Sequence, residues 1–275
     1  MDFRTIVEVE KPIREIGPCE QMLFVGSCFA DRMGKRFVEE RFLATVNPYG
    51  VMYNPASILH SVERFLEEHQ DRAPKVVFLT LGTNHVYVLR ETGEIVDNCQ
   101  KRPARLFEER VLGIDECVGF LRQAVALLQK RVPAVMVVLT VSPIRYAKYG
   151  YHGSALSKAS LLLAADTLVR EMPDVVCYFP AYEIVNDELR DYRFYQPDML
   201  HPSDQAVEYI WERLSEAFLS AKAKEFLVEW RPIKEAMAHR PFHPDSEAYK
   251  AFRQHTIEMA ETLAQKYPSI LPLPW

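Results

Sequence analysis

The chain has 275 residues, enough for one large domain or one domain with an appendage. Its hydrophobic fraction of 48%, charged fraction of 26% and formal charge of -5 are those of a globular protein without a basic footprint, so nucleic acid is not an expected partner. No apolar run reaches the length of a membrane span, and the charged start "MDFRTIVEVEKPIRE" lacks the apolar centre of a signal peptide, so a cytoplasmic protein with no membrane partner is expected.

In chain order, the first apolar run is "QMLFVGS", 21–27, followed at once by a helical pattern over 29–40. A weaker strand, "FLATVNP" (42–48), precedes a helix over 55–70. The runs "VVFLTLG" (76–82) and "AVMVVLTVSP" (134–143) are apolar on both faces, as central parallel strands are. Between them "HVYVLRETGEIVDNC", 85–99, reads as two short strands around a Glu91-Thr92-Gly93 turn. Helices are expected over 115–130 and 153–171, with Asp115 and Ser154 near their starts as caps. A last weak strand, "VVCYFPAYEIV", covers 175–185. From about residue 203 the chain is helical, interrupted by Pro232 and resuming after Pro241 and Pro244.

This alternation predicts an α/β fold, with a parallel sheet covered by helices on both faces. The expected division is an α/β domain over 1–220 and a helical extension over 221–275 packed on it. The five cysteines, Cys19, Cys28, Cys99, Cys117 and Cys177, are odd in number and form no CxxC pair, which argues against a disulfide framework or a cysteine-rich zinc site. The eight histidines show no metal-ligand spacing, and no cofactor is expected. The sequence leaves the oligomeric state open.

In an open parallel sheet, ligands bind at the carboxyl ends of the strands. There the chain places Gly26-Ser27-Cys28, then "NPYGVMYNP" with Gly50, then Gly82-Thr83-Asn84, and finally "QPDMLHPSD" with Asp198 and His201. A nucleophile, a loop glycine, a loop asparagine and an Asp-x-x-His pair follow one another in that order.

This set of blocks resembles the SGNH hydrolase superfamily, whose blocks are Gly-Asp-Ser, a loop glycine, Gly-x-Asn-Asp and Asp-x-x-His. The opening "GSCFA" resembles the signature of the GSCFA family within that superfamily, and "TVSPIR" and "SKASL" fit the same impression. The resemblance implies a flavodoxin-like, three-layer SGNH hydrolase-like fold and acyl-transfer chemistry, with no particular substrate. An ungapped match sets Ser27 on the parent aspartate and Cys28 on the nucleophilic serine, and puts His85 where the parent pattern has an acid.

Cys28 and Ser27 are both candidate nucleophiles. A thiol at a helix N-terminus has its thiolate stabilised by the dipole and by free N–H groups, which favours Cys28. His201 is the expected base and later acid, with Asp198 fixing its tautomer. Alternatively, Asp198 and His201 simply open a helix capped by Ser203. The backbone N–H of Cys28, the N–H of Gly50 and the amide of Asn84 are the expected oxyanion donors. Asn47 and Asn54 flank Gly50; Asn47 is a further candidate for the oxyanion or substrate site, and the alternative is that both simply hold the loop together. Arg145 or Lys158, from the fourth strand end and the following helix, could bind a substrate carboxylate or phosphate, although each is more commonly a solvated charge. Three functions fit: an esterase or deacetylase for a small-molecule or carbohydrate acyl substrate, an acyltransferase drawing on a thioester donor, and a non-catalytic module keeping the cleft.

Overall fold

The computed structural model describes residues 4–268. The first three residues of the charged N-terminal stretch and the last seven of the expected extension lie outside the described residues.

Strand β1 (Gln21–Gly26) runs straight into helix α1 (Cys28–Glu39), and β2 (Leu43–Val46) into α2 (Pro55–Glu68). Next come β3 (Val76–Leu81), β4 (His85–Leu89), β5 (Ile95–Val96) and β6 (Phe107–Val111). Helix α3 (Ile114–Arg131), β7 (Met136–Val141), α4 (Gly150–Glu171) and β8 (Val176–Tyr178) complete the sheet. The short α5 (Ala181–Glu183) continues as a π-helical stretch, Ile184–Leu189. Helices α6 (Asp204–Phe218), α7 (Ala221–Ala238) and α8 (Glu247–Lys266) close the chain.

Five strands pair in parallel in the order β2-β1-β3-β7-β8. Counted along the parallel strands alone, this is the 2-1-3-4-5 order of flavodoxin-like folds, whose ligand crevice opens between the first and third strands. Alternating residues of β1 feed two cores. Phe24 stacks on Phe78 at 4.6 Å in the layer with α1, α6, α7 and α8, while Leu23 and Val25 face α2, α3 and α4. Phe226, Trp230 and Ile233 of α7, with Ala260 and Leu263 of α8, merge into the first of these cores. Among the described residues no helix is long and apolar enough to cross a membrane.

The structure differs from the sequence expectation in five places. The run 175–185 is a strand only to Tyr178, because Pro180 has no N–H for the ladder and its carbonyl opens the next helix by accepting the Ile184 N–H. The hairpin at 85–99 has its turn where expected, but β6 adds a third, antiparallel strand. "FEERV" hides this strand from the eye because only Phe107 of its five residues is buried. Gly113 is the N-cap of helix α3 and its N–H donates to the Glu116 carboxylate, so Asp115 lies in the first turn instead of capping it. Helix α4 starts before Ser154, whose buried hydroxyl accepts the Tyr146 N–H instead of capping. Pro232 sits inside α7, and the break falls at Leu219-Ser220, where the Ser220 hydroxyl caps α7 by accepting the Ala223 N–H.

The end of β1 leaves no room for a side chain. Gly26 has φ +147°, and a Cβ there would lie 2.3 Å from the Thr80 carbonyl oxygen on the neighbouring strand. Gly26→Ala should therefore cost about 3 kcal/mol of stability or more. A urea midpoint unchanged from the parent would show that β1 and β3 can part to admit the methyl group.

Candidate active site

The two adjacent candidate nucleophiles have different fates. Ser27 is 0% exposed; its N–H donates to Thr80 O at 3.2 Å and its hydroxyl accepts the Phe29 N–H at 3.2 Å, capping α1. Cys28, the first residue of α1, is partly exposed, and its Sγ lies 3.7 Å from the Tyr53 hydroxyl. The first N–H groups of a helix have no intrahelical acceptor, so the sulfur sits at an end rich in donors. Ser27 is thus buried and used as a cap, whereas Cys28 is partly exposed.

The loop after β2 is laced to this end. Asn47 Oδ1 accepts the Gly26 N–H at 2.9 Å, and the Gly26 carbonyl accepts the Met52 N–H at 2.9 Å. Gly50, at φ +92°, closes a turn in which its own N–H donates to Asn47 O at 2.9 Å. That bond occupies the N–H expected to serve as an oxyanion donor, so Gly50 is a turn residue. Asn47 is a loop anchor. Asn54 caps α2 through its Oδ1, which accepts the Ser57 N–H. Between them the Tyr53 carbonyl accepts the N–H groups of Gly82 at 2.9 Å and Thr83 at 2.7 Å, fixing this residue against the end of β3.

Asn84 also departs from its expected role. It is 2% exposed, its Nδ2 donates to Leu112 O at 2.8 Å, and its N–H donates to the Ser157 hydroxyl. The amide therefore ties β4 and its neighbours to α4 and the start of α3, instead of reaching the cleft. His85 stacks flat on Tyr149, with ring centroids 3.6 Å apart, and burial lowers its pKa.

Asp198 and His201 do meet. Asp198 Oδ2 lies 2.6 Å from His201 Nδ1, while Oδ1 accepts the N–H groups of Leu200 (2.8 Å) and His201 (3.0 Å). The two backbone bonds, followed by the imidazole bond, hold the Asp198 carboxyl down at about 2. The loop is closed by Gln196 N–H to His201 O at 2.7 Å, and Ser203 then caps α6. Arg32, one turn into α1 from Cys28, pairs with Asp204 of α6 at 2.6 Å, so the two helix starts lie side by side. Arg145 holds this loop. Its side chain donates to Met199 O at 3.2 Å, its N–H donates to Leu200 O at 3.1 Å, and its guanidinium lies between the rings of Tyr151 (4.4 Å) and Tyr195 (5.3 Å).

Tyr53, Tyr146 and the true setting of Lys158 were hidden from the sequence. Lys158 is 3% exposed and not a solvated charge. Its Nζ donates to Gly82 O and Ser142 O, both at 2.7 Å, clipping together the ends of β3 and β7, and lies 5.1 Å from the Tyr146 ring. Burial pushes the ammonium down to about 7. Tyr146 packs edge to face on Tyr53 at 5.9 Å. The only available signal was the proximity of Tyr53 to the Gly50 turn and of Tyr146 to the end of the fourth long strand.

Comparison with known proteins matches residues 21–73 and 70–214 to the GSCFA family, and residues 230–271 to the GSCFA domain protein, C-terminal domain. No curated protein matches the sequence. Among solved structures, the chain is similar to a catalytic mutant of an acetylxylan esterase from Geobacillus stearothermophilus (15% identity, 75% of this chain and 97% of that one, TM-score 0.47). It is also similar to a member of the lipolytic protein G-D-S-L family from Veillonella parvula (14%, 72% and 98%, TM-score 0.47). A third is a GDSL-like lipase from Bacteroides thetaiotaomicron (14%, 72% and 86%, TM-score 0.45).

Lys158 makes stability depend on pH. The folded protein releases its proton near pH 7, the unfolded chain only near the ordinary value of 10.5. Between these values the unfolded chain holds more proton, so rising pH favours the folded state. Lys158→Met should cost about 2–4 kcal/mol by leaving two buried carbonyls without donors. Its deficit against the parent should widen from pH 7 to pH 10, read as urea midpoints. A constant gap would mean that the amine is charged throughout.

Proposed function

The chain belongs to the GSCFA family, and we propose that it is an ester hydrolase whose nucleophile is the Cys28 sulfur, with His201 as base and acid and Asp198 as its orienting group. One observation carries this reading. At the strand-to-helix turn the hydroxyl is buried as a cap and the thiol is left at the open helix end, beside the helix whose entry loop holds the Asp198–His201 pair.

Asp198 takes His201 Nδ1, which leaves Nε2 for proton transfer. His201 accepts the Cys28 proton, and the thiolate attacks the acyl carbon. The carbonyl π pair moves onto oxygen as the S–C bond forms. When it returns, the bond to the leaving oxygen breaks, and the imidazolium gives its proton to that oxygen. Water then attacks the thioester, with His201 taking one of its protons. The C–S bond breaks, the acid leaves, and the imidazolium returns a proton to the thiolate. The Cys28 N–H, at the first position of α1, is the backbone donor to the oxyanion.

The substrate class supported best is a small acyl ester on a carbohydrate. Tyr151 and Tyr195 lie on the Arg145 guanidinium beside the loop that holds His201, and their partly exposed rings offer apolar faces to a sugar.

Hydrolysis of p-nitrophenyl acetate tests the assignment. Cys28→Ala should lose turnover, and His201→Ala should lower it about 10²–10⁴-fold with folding intact. Ser27→Ala should keep turnover while costing about 1 kcal/mol of stability through the lost cap. Turnover lost in Ser27→Ala and retained in Cys28→Ala would reverse the choice of nucleophile.

A further inference from the structure

Two of the three oxyanion donors expected from sequence are engaged elsewhere: the Gly50 N–H by Asn47 O, and the Asn84 amide by Leu112 O. A different donor stands at the sulfur. The Tyr53 hydroxyl is 3.7 Å from Cys28 Sγ, within hydrogen-bond reach of a sulfur atom. We infer that Tyr53 is the side-chain donor to the negative charge that arises at Cys28, bonding first the thiolate and then the acyl oxyanion. This rests on the reading of Cys28 as the nucleophile.

Its placement is that of a fixed donor. The Tyr53 carbonyl is held by two N–H groups from the end of β3, and the next residue, Asn54, is tied into the start of α2. The ring is braced edge to face by Tyr146 at an interplanar angle of 89°, and Tyr146 in turn lies beside the buried Lys158 ammonium. A donor fixed before reaction needs no reorganisation as charge develops. Tyr53 is 40% exposed, so the residue is reachable from solvent. Burial of the remainder, with the hydrogen bond to Cys28 added, pushes the phenol up to about 12, so it remains an intact O–H donor at neutral pH and does not compete with His201 as a base.

The electron balance is simple. As the Cys28 thiolate adds to the carbonyl carbon, the π pair moves to the carbonyl oxygen, which is bonded to the same carbon as the sulfur. The Tyr53 hydrogen bond passes from sulfur to that oxygen. The O–H bond does not break, and the bond returns to sulfur when the thioester is hydrolysed.

Tyr53→Phe removes the one hydroxyl and keeps the ring, with Tyr49→Phe on the same loop as the control. Two readouts are used. The first is the acylation rate of Cys28 by p-nitrophenyl acetate, followed by rapid quench and peptide mass. The second is the pH profile of iodoacetamide alkylation of Cys28, which needs no acyl chemistry. Tyr53→Phe should slow acylation about 10–100-fold and move the alkylation profile to higher pH, while Tyr49→Phe matches the parent in both. Thermal midpoints check that folding is retained. Parent-like acylation and alkylation in Tyr53→Phe would overturn the donor role even with Cys28 confirmed as nucleophile. If the parent protein does not acylate Cys28 at all, the nucleophile reading fails separately, and an unmoved alkylation profile then overturns the Tyr53 contact with the thiolate as well. For a folded Tyr53→Leu, lacking both ring and hydroxyl, the same outcomes apply should Tyr53→Phe fold poorly.

Discussion

At the carboxyl end of β1 the backbone passes so close to Thr80 that no side chain fits on Gly26, and the arrangement of the cleft depends on that contact. With β1 and β3 drawn together, the chain turns sharply and the next residue faces inward. Ser27 then bonds to the strand through its N–H and to the helix through its hydroxyl. The residue after it begins α1 and is only partly buried. A bulkier residue at 26 would separate the strands, release the cap and lose the register that aims Cys28.

The polar groups around this turn divide into those the fold uses and those it leaves partly exposed. Asn47 holds the Gly26 N–H, Asn84 holds Leu112 O, and Lys158 caps the carbonyls at the ends of two strands. Each of these side chains is committed through at least one of its polar atoms, because a buried backbone group left without a partner is costly. Cys28 and Tyr53 meet through sulfur and hydroxyl, and the Arg32–Asp204 ion pair sets the start of α1 beside that of α6, which follows the loop holding His201. Arg145 stands between the two classes, because it bonds the loop that carries His201 while its flat guanidinium lies between two tyrosine rings.

Much of this architecture is legible in the sequence. The buried parallel strands are continuous apolar runs, and the Asp198-x-x-His201 spacing is the one an aspartate needs to hold its own loop and the imidazole together. What escapes the sequence is the direction of each polar side chain. Gly50 and Asn84 have the residue types of oxyanion donors, but hydrogen bonds to Asn47 and Leu112, the latter a long-range partner, direct them elsewhere. Leu112 follows a charged edge strand with no apolar alternation, so nothing in the local pattern announces it. Lys158 has the spacing of a helix residue near the surface, yet its site under Gly82 and Ser142 exists only once two strand ends are adjacent. Tyr53 carries no motif at all; its significance comes from a loop pinned at its carbonyl.

The central claim is that the sulfur of Cys28, and not the hydroxyl beside it, takes the acyl group. Peptide mapping of the parent protein, quenched within the first turnover of p-nitrophenyl acetate, reads this directly. The account predicts a single acetyl group on Cys28, as a thioester cleaved by hydroxylamine at neutral pH. An acetyl group on Ser27, or labelling spread over Cys19, Cys99, Cys117 and Cys177 with Cys28 unmodified, would contradict it.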